Sequence, residues 1–190
     1  MKVFLLSAMV LAQGLFAIDN TQYGFRVLGT TKTSTMEKEM NEAAQDGYVF
    51  QSVMGGETAF GGKEVIVVMG RGSEPTGRRV YRLFAANKTS TLEREMQEAA
   101  ETGFNYRGQT IFESAFGGRE VCVIMERDTT AAVKPNRYKL VATSKTSTME
   151  KELAEAGAQG YSVVGMTVSK TALGGSEVVC ILKAQPPTAE

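Results

Sequence analysis

The stretch KTSTMEKEM occupies Lys32–Met40, and close copies of it stand at Lys88–Met96 (KTSTLEREM) and at Lys145–Leu153 (KTSTMEKEL). The first residues of the three copies are 56 and 57 residues apart. Paired glycines recur downstream of them at the same two spacings. Self-similarity at a fixed period is typical of proteins built from repeated structural units. The chain is therefore predicted to contain three tandem copies of one unit.

Linkers of different composition separate the repeats. Aligning the copies places repeat 1 at 23–71, repeat 2 at 80–127 and repeat 3 at 137–184. The segments between them are rich in Gly, Pro, Ser and Thr, which favour turns and loops. Residues 185–190 (QPPTAE) are expected to form a flexible tail. Because a unit of about 50 residues buries too little surface to be stable alone, the three are expected to pack together.

Each repeat begins with a short strand and continues into a helix. In repeat 1 the helix is predicted from about Ser34 to Asp46, because its apolar residues recur at helical spacing. Gly47 then stands where a helix end favours a residue that tolerates positive φ. The apolar stripes of the three helices are Met36, Met40, Ala43 and Ala44; Leu92, Met96, Ala99 and Ala100; and Met149, Leu153, Ala156 and Gly157.

Two further strands follow each helix and are predicted to form a hairpin. The second of them is apolar at nearly every position, which indicates burial on both faces. This last strand is expected to lie between the other two strands of its repeat. The predicted fold class is α+β. It consists of three tandem β-α-β-β repeats whose mainly antiparallel sheets pack together, with the helices outside, in a rough pseudo-threefold arrangement.

The N-terminus has the pattern of a secretory signal peptide. One lysine precedes an apolar run from Val3 to Phe16, and small residues follow. Residues 1–17 are predicted to be removed, with cleavage after Ala17 or, alternatively, after Gly14. The run is shorter than the about 20 residues that span a bilayer, so no membrane span is expected after cleavage. The protein is predicted to be exported, to the periplasm or to the extracellular space.

The charge composition of the chain bears on its possible partners. Lys and Arg total 21, as do Asp and Glu, so the formal net charge is zero. No basic run interleaves with aromatic residues, and nucleic acid is therefore not an expected partner.

Cys122 and Cys180 fall one position apart when the repeats are aligned. Successive strand residues face opposite sides of a sheet, so two buried free thiols are favoured over a disulfide.

In repeat 3, Gly160 after the helix is followed directly by Tyr161, and the apolar last strand ends in Lys183. In these features repeat 3 resembles a small bacterial domain family known as domain of unknown function 4177. The shared features are the β-α-β-β order, a helix ending in a small residue and Gly, an aromatic residue directly after that Gly, and an apolar closing strand that ends in a basic residue. Repeats 1 and 2 match through Gly47-Tyr48 and Gly103-Phe104, whereas the Trp that is typical of the family is replaced by other aromatic residues here. The resemblance implies a fold and no activity. In repeat 3 it rests on Leu153, Gly157, Gly160, Tyr161, Val163, Val164 and Lys183.

The repeated phrase is compatible with helix capping. A Ser followed three residues later by Glu is the spacing of a capping box, in which each side chain bonds a backbone N–H at the helix start. Such a cap contributes about 1 kcal/mol. The predicted caps are Ser34 with Glu37, Ser90 with Glu93, and Ser147 with Glu150.

Capping does not explain the Lys and Thr residues of the phrase, which leaves ligand binding as the alternative. A helix N-terminus beside Lys and Thr side chains offers donors and positive potential to an anion. The candidate anion-binding residues are Lys32, Thr33, Thr35, Lys88, Thr89, Thr91, Lys145, Thr146 and Thr148.

Catalytic chemistry has little support in the sequence. The chain contains no His, the commonest general base, and no nucleophile elbow or phosphate-binding loop. Glu64, Glu120 and Glu177 begin the last strands, where solvated strand ends are favoured over a cation site. No catalytic residue, metal or cofactor is therefore predicted. The leading hypothesis is an exported, non-enzymatic interaction or assembly module. Its sheet edges would recruit another copy or an envelope protein.

Overall fold

The computed structural model describes residues 24–58, 62–73, 75–113, 119–170 and 176–184. The predicted signal peptide at 1–17 and the predicted tail at 185–190 lie outside the described residues. The tips of the three hairpins, with most of their paired glycines, also lie outside them.

Each repeat folds as strand, helix, strand, strand. Repeat 1 comprises β1 (Phe25–Thr30), α1 (Thr33–Gln45), β2 (Tyr48–Thr58) and β3 (Gly62–Arg71). Repeat 2 comprises β4 (Arg79–Ala86), α2 (Thr89–Glu101), β5 (Asn105–Glu113) and β6 (Arg119–Asp128). Repeat 3 comprises β7 (Arg137–Thr143), α3 (Thr146–Ala158), β8 (Ser162–Lys170) and β9 (Ser176–Ala184).

The three strands of each repeat form an antiparallel sheet with the last strand in the centre. The orders are β1-β3-β2, β4-β6-β5 and β7-β9-β8. The α+β class, the three repeated units and the central position of the last strand are thus confirmed. In all three sheets the register shifts by one residue at the same place, after Phe50, Tyr106 and Val163.

The helices bury the apolar stripes that their periodicity predicts, with one exception. The stripes of α1 and α2 are fully buried, and each helix ends at a glycine with positive φ, such as Gly47 at 84°. In α3, Met149 and Ala156 are buried, whereas Leu153 is half-buried and Gly157 is exposed. The stripe of α3 is less covered because no sheet of the described chain packs on its outer side.

The predicted position of the helices outside the packed sheets is wrong for α1 and α2. The core around Met36 and Met40 of α1 includes Val67 from its own sheet and both Leu83 and Ile124 from the next sheet. The core around α2 likewise joins the sheets of repeats 2 and 3. Each of these helices therefore lies between two successive sheets. Only α3 lies outside, against the last sheet.

The repeats contact one another in series. The helix of one repeat packs on the first strand of the next, as α1 does on β4 and α2 on β7, and the second strands β2, β5 and β8 touch in succession. Among the described elements, no pair joins repeat 1 to repeat 3 by a substantial contact. The repeats form a row rather than the predicted pseudo-threefold arrangement, because each helix bridges to one neighbour only.

The two cysteines lie in different cores. Cys122 belongs to the core around α1, and Cys180 belongs to the core beside α3. Both thiols are buried and free, as the alignment of the repeats predicts. Burial raises the pKa of the Cys122 thiol to about 12.

Candidate functional site

The interface between repeats 1 and 2 is built from polar side chains of α1 that bind the outer edge of β4. The Leu83 N–H donates to the Glu37 carboxylate at 2.9 Å. The Asn41 side chain accepts from the Tyr81 N–H at 2.9 Å and donates to the Tyr81 carbonyl at 3.0 Å. An exposed strand edge presents unpaired backbone groups to other chains. Here the preceding helix satisfies three of those groups.

The interface between repeats 2 and 3 repeats this arrangement. The Leu140 N–H donates to the Glu93 carboxylate at 2.6 Å. Gln97, at the position of Asn41, accepts from the Tyr138 N–H at 3.0 Å and donates to the Asn136 carbonyl at 3.3 Å. The two interfaces therefore use the same positions to bind the two strand N–H groups, whereas the Gln97 amide donates to a carbonyl two residues before the equivalent of the one that Asn41 reaches.

These contacts overturn the predicted helix caps. Each helix begins one residue before its predicted serine cap. The N-cap residues are Lys32, Lys88 and Lys145, none with a side-chain capping bond. The serines Ser34, Ser90 and Ser147 lie inside the first turn and are exposed. Of the glutamates Glu37, Glu93 and Glu150, the first two bind the next repeat instead of their own helix start. The local spacing fits a capping box, but the bonds are made to residues distant in the sequence.

A buried tyrosine completes each internal interface. The Tyr81 hydroxyl accepts from the Phe50 N–H at 2.9 Å and donates to the Glu126 carboxylate at 2.8 Å. Burial, together with the Glu126 charge, raises the pKa of Tyr81, so its hydroxyl stays protonated. The Tyr138 hydroxyl accepts from the Tyr106 N–H at 2.8 Å. In both cases the tyrosine binds the N–H at the register shift of the preceding sheet.

Glycines allow the second strands of neighbouring repeats, β2 and β5 or β5 and β8, to approach each other closely. A Cβ on Gly108 would lie 3.0 Å from the Phe50 ring and 3.1 Å from Val53. Gly165 occupies the same position in repeat 3 and would meet the Tyr106 hydroxyl. A Cβ on Gly55 would collide with the backbone carbonyl of Ile111. Gly is the residue that permits such close backbone approach.

Repeat 1 exposes the surface that corresponds to the one that repeat 2 buries against α1. Phe25 and Val27 stand where Tyr81 and Leu83 stand in repeat 2, yet 67% and 69% of their surface is exposed, against 1% and 8%. Residues opposite each other in an antiparallel sheet share a face. We call the following set the N-terminal face: Phe25, Val27, Ser52, Met54, Ile66 and Val68.

Repeat 3 exposes the surface that corresponds to the one that repeats 1 and 2 each bury against the repeat after them. On β8, Val163, Met166 and Val168 lie opposite the residues of β9 that face α3. All three side chains are at least half exposed. The C-terminal face is defined as these residues together with exposed residues of α3: Val163, Met166, Val168, Glu150, Ala154 and Gly157. Of the large exposed apolar side chains in the described residues, only Val133 lies outside the two faces.

The predicted anion-binding residues are found at three separate helix starts. Lys32, Lys88 and Lys145 are exposed, and the threonines beside them are half-buried or exposed. In repeats 1 and 3 the lysine N–H donates to a preceding threonine, Thr30 or Thr143, at 3.2 Å. No hydrogen bond or ion pair found within the described ranges joins one of these loops to another. Binding of an anion at these loops stays a prediction.

A cleft of about 410 Å³ opens where the hairpins of repeats 1 and 2 meet. The Glu113 carboxylate lies 2.5 Å from the Lys63 ammonium and 3.8 Å from the Arg119 guanidinium. Glu113 therefore pairs with both basic side chains of the cleft. Its walls comprise Gly55, Gly56, Glu57, Lys63, Glu64, Ile111, Glu113 and Arg119.

Neither a metal-binding cluster nor a membrane-spanning helix is found in the part of the chain that the structure describes. It contains no group of three or more acidic, cysteine or histidine side chains placed to hold a metal ion. It also contains no helix with the length and apolar character needed to cross a bilayer.

Comparison with models of protein families, with curated proteins and with solved structures finds no match for this chain. The resemblance of the repeats to domain of unknown function 4177 stays a prediction.

Sequence reasoning missed the side chains that join the repeats. Asn41 and Gln97 are amides, but the third copy has Ala154 at that position. Tyr81 and Tyr138 correspond to Phe25, and Gly108 and Gly165 correspond to Ser52. The available signal is therefore not identity among the three copies. It is agreement between two copies combined with a difference at the end of the row.

Proposed function

We propose that this protein is an exported, non-enzymatic interaction or assembly module that binds its partners through the N-terminal and C-terminal faces. One observation carries the proposal. The two faces hold nearly all the exposed large apolar side chains of the described residues, and they are the two halves of an interface that occurs twice within the chain. Exposed apolar surface of this kind marks interaction sites.

The ends of a repeat array usually carry polar outer surfaces, since solubility requires them. Here Phe25 and Val27 keep the first strand of repeat 1 as apolar as its covered equivalents. Met54 is more apolar than Thr110 and Thr167, which occupy its position in the other repeats. This composition favours a surface that is covered when the protein acts. The absence of histidine from the sequence supports a role other than acid–base catalysis.

The proposal is tested with one charge placed on each face. The variants are Val27→Asp on the N-terminal face and Met166→Asp on the C-terminal face, with Val133→Asp as a matched exposed apolar control. Association of the mature protein is measured by sedimentation over a range of concentrations, alone and with an envelope extract. We expect both face variants to lose association that the control retains. Association that neither face variant weakens, or none with itself or the extract, would contradict the proposal.

A further inference from the structure

We infer that the partner of each face is the opposite face of a second copy of this chain. The C-terminal face of one molecule would cover the N-terminal face of the next, so that the row of sheets and helices continues from molecule to molecule. This inference rests on the proposed function and names its partner. It follows from continuity with the two internal interfaces.

Side-chain volumes at the two faces are complementary. Inside the chain, an aromatic residue of one repeat packs over a glycine of the next, as Phe50 does over Gly108. At the ends of the row the corresponding residues are Val163 on the C-terminal face and Ser52 on the N-terminal face. The first is smaller than its aromatic equivalents and the second is larger than glycine. The two changes compensate each other only if these faces meet.

A second pair of positions changes in the same coordinated way. Between repeats 1 and 2, a Cβ on Gly55 would lie 3.0 Å from the hydroxyl oxygen of Thr110, and the equivalent residues between repeats 2 and 3 are Ile111 and Thr167. The corresponding end residues are Val168 and Met54. Each internal pair thus contains a threonine, whereas the pair at the ends is apolar on both sides. Burial of such a pair between molecules removes exposed apolar surface from water.

One polar anchor is retained at the ends. Glu150 aligns with Glu37 and Glu93 but is exposed, because in the described chain no first strand of a further repeat packs against α3. Val27 pairs with the central strand in the same register as Leu83, so its N–H also points away from its sheet. In a stacked pair of molecules this N–H would donate to the Glu150 carboxylate of the neighbouring copy. The bond would repeat those made by Leu83 and Leu140.

Two other hydrogen-bonding groups of the internal interfaces have no counterpart at the ends. Their absence sets the expected strength of the contact between molecules. Phe25 lacks the hydroxyl with which Tyr81 and Tyr138 accept a backbone N–H, and Ala154 lacks the amide of Asn41 and Gln97. The contact between molecules therefore has fewer hydrogen bonds than the contact between repeats. It should form reversibly with concentration. Because the two faces differ, the contact is heterologous and leads to open chains of molecules unless the rotation between them closes a ring.

The decisive experiment mixes the two single-face variants. Val27→Asp blocks the N-terminal face and leaves the C-terminal face intact, whereas Met166→Asp does the reverse. Each variant alone should sediment as a monomer, and their equimolar mixture should form a dimer containing one of each. The native chain should form larger species at the same concentration. At concentrations where the native chain is itself monomeric, thermal unfolding of both variants should match it, because both substituted side chains are exposed.

Other outcomes overturn the inference and separate its failure from that of the proposed function. Dimers formed by either variant alone would show contact between like faces, and the proposed function would stand without the head-to-tail contact. A native chain that stays monomeric while its faces bind an envelope component would also overturn the head-to-tail contact and leave the proposed function standing. A monomeric chain with no face-dependent binding to anything would overturn both.

Restoring the missing anchors gives a gain-of-function test that misfolding cannot mimic. Ala154→Gln supplies the amide that binds the edge strand in the internal interfaces, and Phe25→Tyr supplies the hydroxyl. Each should lower the dissociation constant of the mixed dimer by about threefold to tenfold, the range expected for one net hydrogen bond. Glu155→Gln, at an exposed position of α3 outside the C-terminal face, is the control and should leave it unchanged. Equal effects of Ala154→Gln and Glu155→Gln would contradict the inference.

Discussion

The first strands of repeats 1 and 2 have closely related sequences and opposite environments. In β4, Tyr81 and Leu83 are buried under α1, whereas in β1 the equivalent Phe25 and Val27 are exposed. The register of each strand with its central partner is the same. The difference therefore arises from the neighbouring helix and not from the strand. In this protein the first strand of a unit acquires its environment from the preceding unit in the row.

The three glutamates of the repeated phrase teach the same lesson. Glu37 and Glu93 accept backbone N–H groups of the following repeat, whereas Glu150 is exposed. The glutamate is therefore identical in the three copies, although it is bonded to a following repeat in two of them and exposed in the third. Substitutions at equivalent internal and end positions separate the effect of the neighbouring repeat from that of the residue itself.

The largest effect is expected at the closest contact between repeats. Gly55→Ala would drive a Cβ into the Ile111 carbonyl, whereas the neighbouring Gly56→Ala would meet nothing within 4 Å. Overpacking against backbone costs about 3 kcal/mol, because neither strand can move without breaking its sheet. Denaturant unfolding should show this loss for Gly55→Ala and a change under about 0.5 kcal/mol for Gly56→Ala. Equal losses would mean that strand propensity, and not the repeat interface, sets the cost.

The next effect concerns the buried tyrosine. Tyr81→Phe removes a hydroxyl that bonds both the Phe50 N–H and the Glu126 carboxylate. Leaving buried groups unpaired should lower the free energy of unfolding by about 2 kcal/mol. Phe25→Tyr, at the exposed equivalent, should leave the stability of the monomer unchanged. A loss of stability from Phe25→Tyr in dilute protein would show that β1 is covered within the single chain.

A smaller effect is expected at the glutamates. Glu37→Ala leaves the Leu83 N–H without its acceptor and should cost about 1 kcal/mol, since this group is only partly buried. Glu150→Ala should leave the free energy of unfolding unchanged but weaken self-association. Chemical denaturation at low protein concentration separates the two outcomes. Equal destabilisation by both substitutions would restore the capping interpretation.

The smallest effect is a dependence of stability on alkaline pH. Burial raises the pKa of Tyr81, of Tyr138 and, to about 12, of Tyr106 above the value of about 10 in unfolded chains. The folded state therefore holds protons that the unfolded state releases, and stability falls as the pH rises above about 10. Unfolding measured between about pH 9 and 11 should show a shallower fall for Tyr81→Phe than for the native chain. An unchanged slope would contradict the burial of this hydroxyl.

Local patterns in the sequence predicted the repeat unit correctly, because periodicity and turn residues act within a few positions. The stripe of Met36 and Met40, the glycine that ends each helix and the central last strand all follow from such patterns. The bonds of Glu37 and Asn41 do not, because their partners lie about 40 or more residues away and the local spacing of Glu37 fits a cap equally well. The serial arrangement depends on those bonds, so it was not predictable from one unit.

Amide hydrogen exchange at three equivalent residues, Val27, Leu83 and Leu140, reports whether a second molecule covers the N-terminal face. In dilute protein we expect protection of Leu83 and Leu140, whose N–H groups bind glutamates of the preceding helix, and fast exchange of Val27. As the concentration rises, Val27 should become protected in parallel with the increase in mass. Protection of Val27 in the monomer would assign the N-terminal face to the chain's own residues. Fast exchange of Val27 in a fully associated sample would likewise contradict the head-to-tail contact.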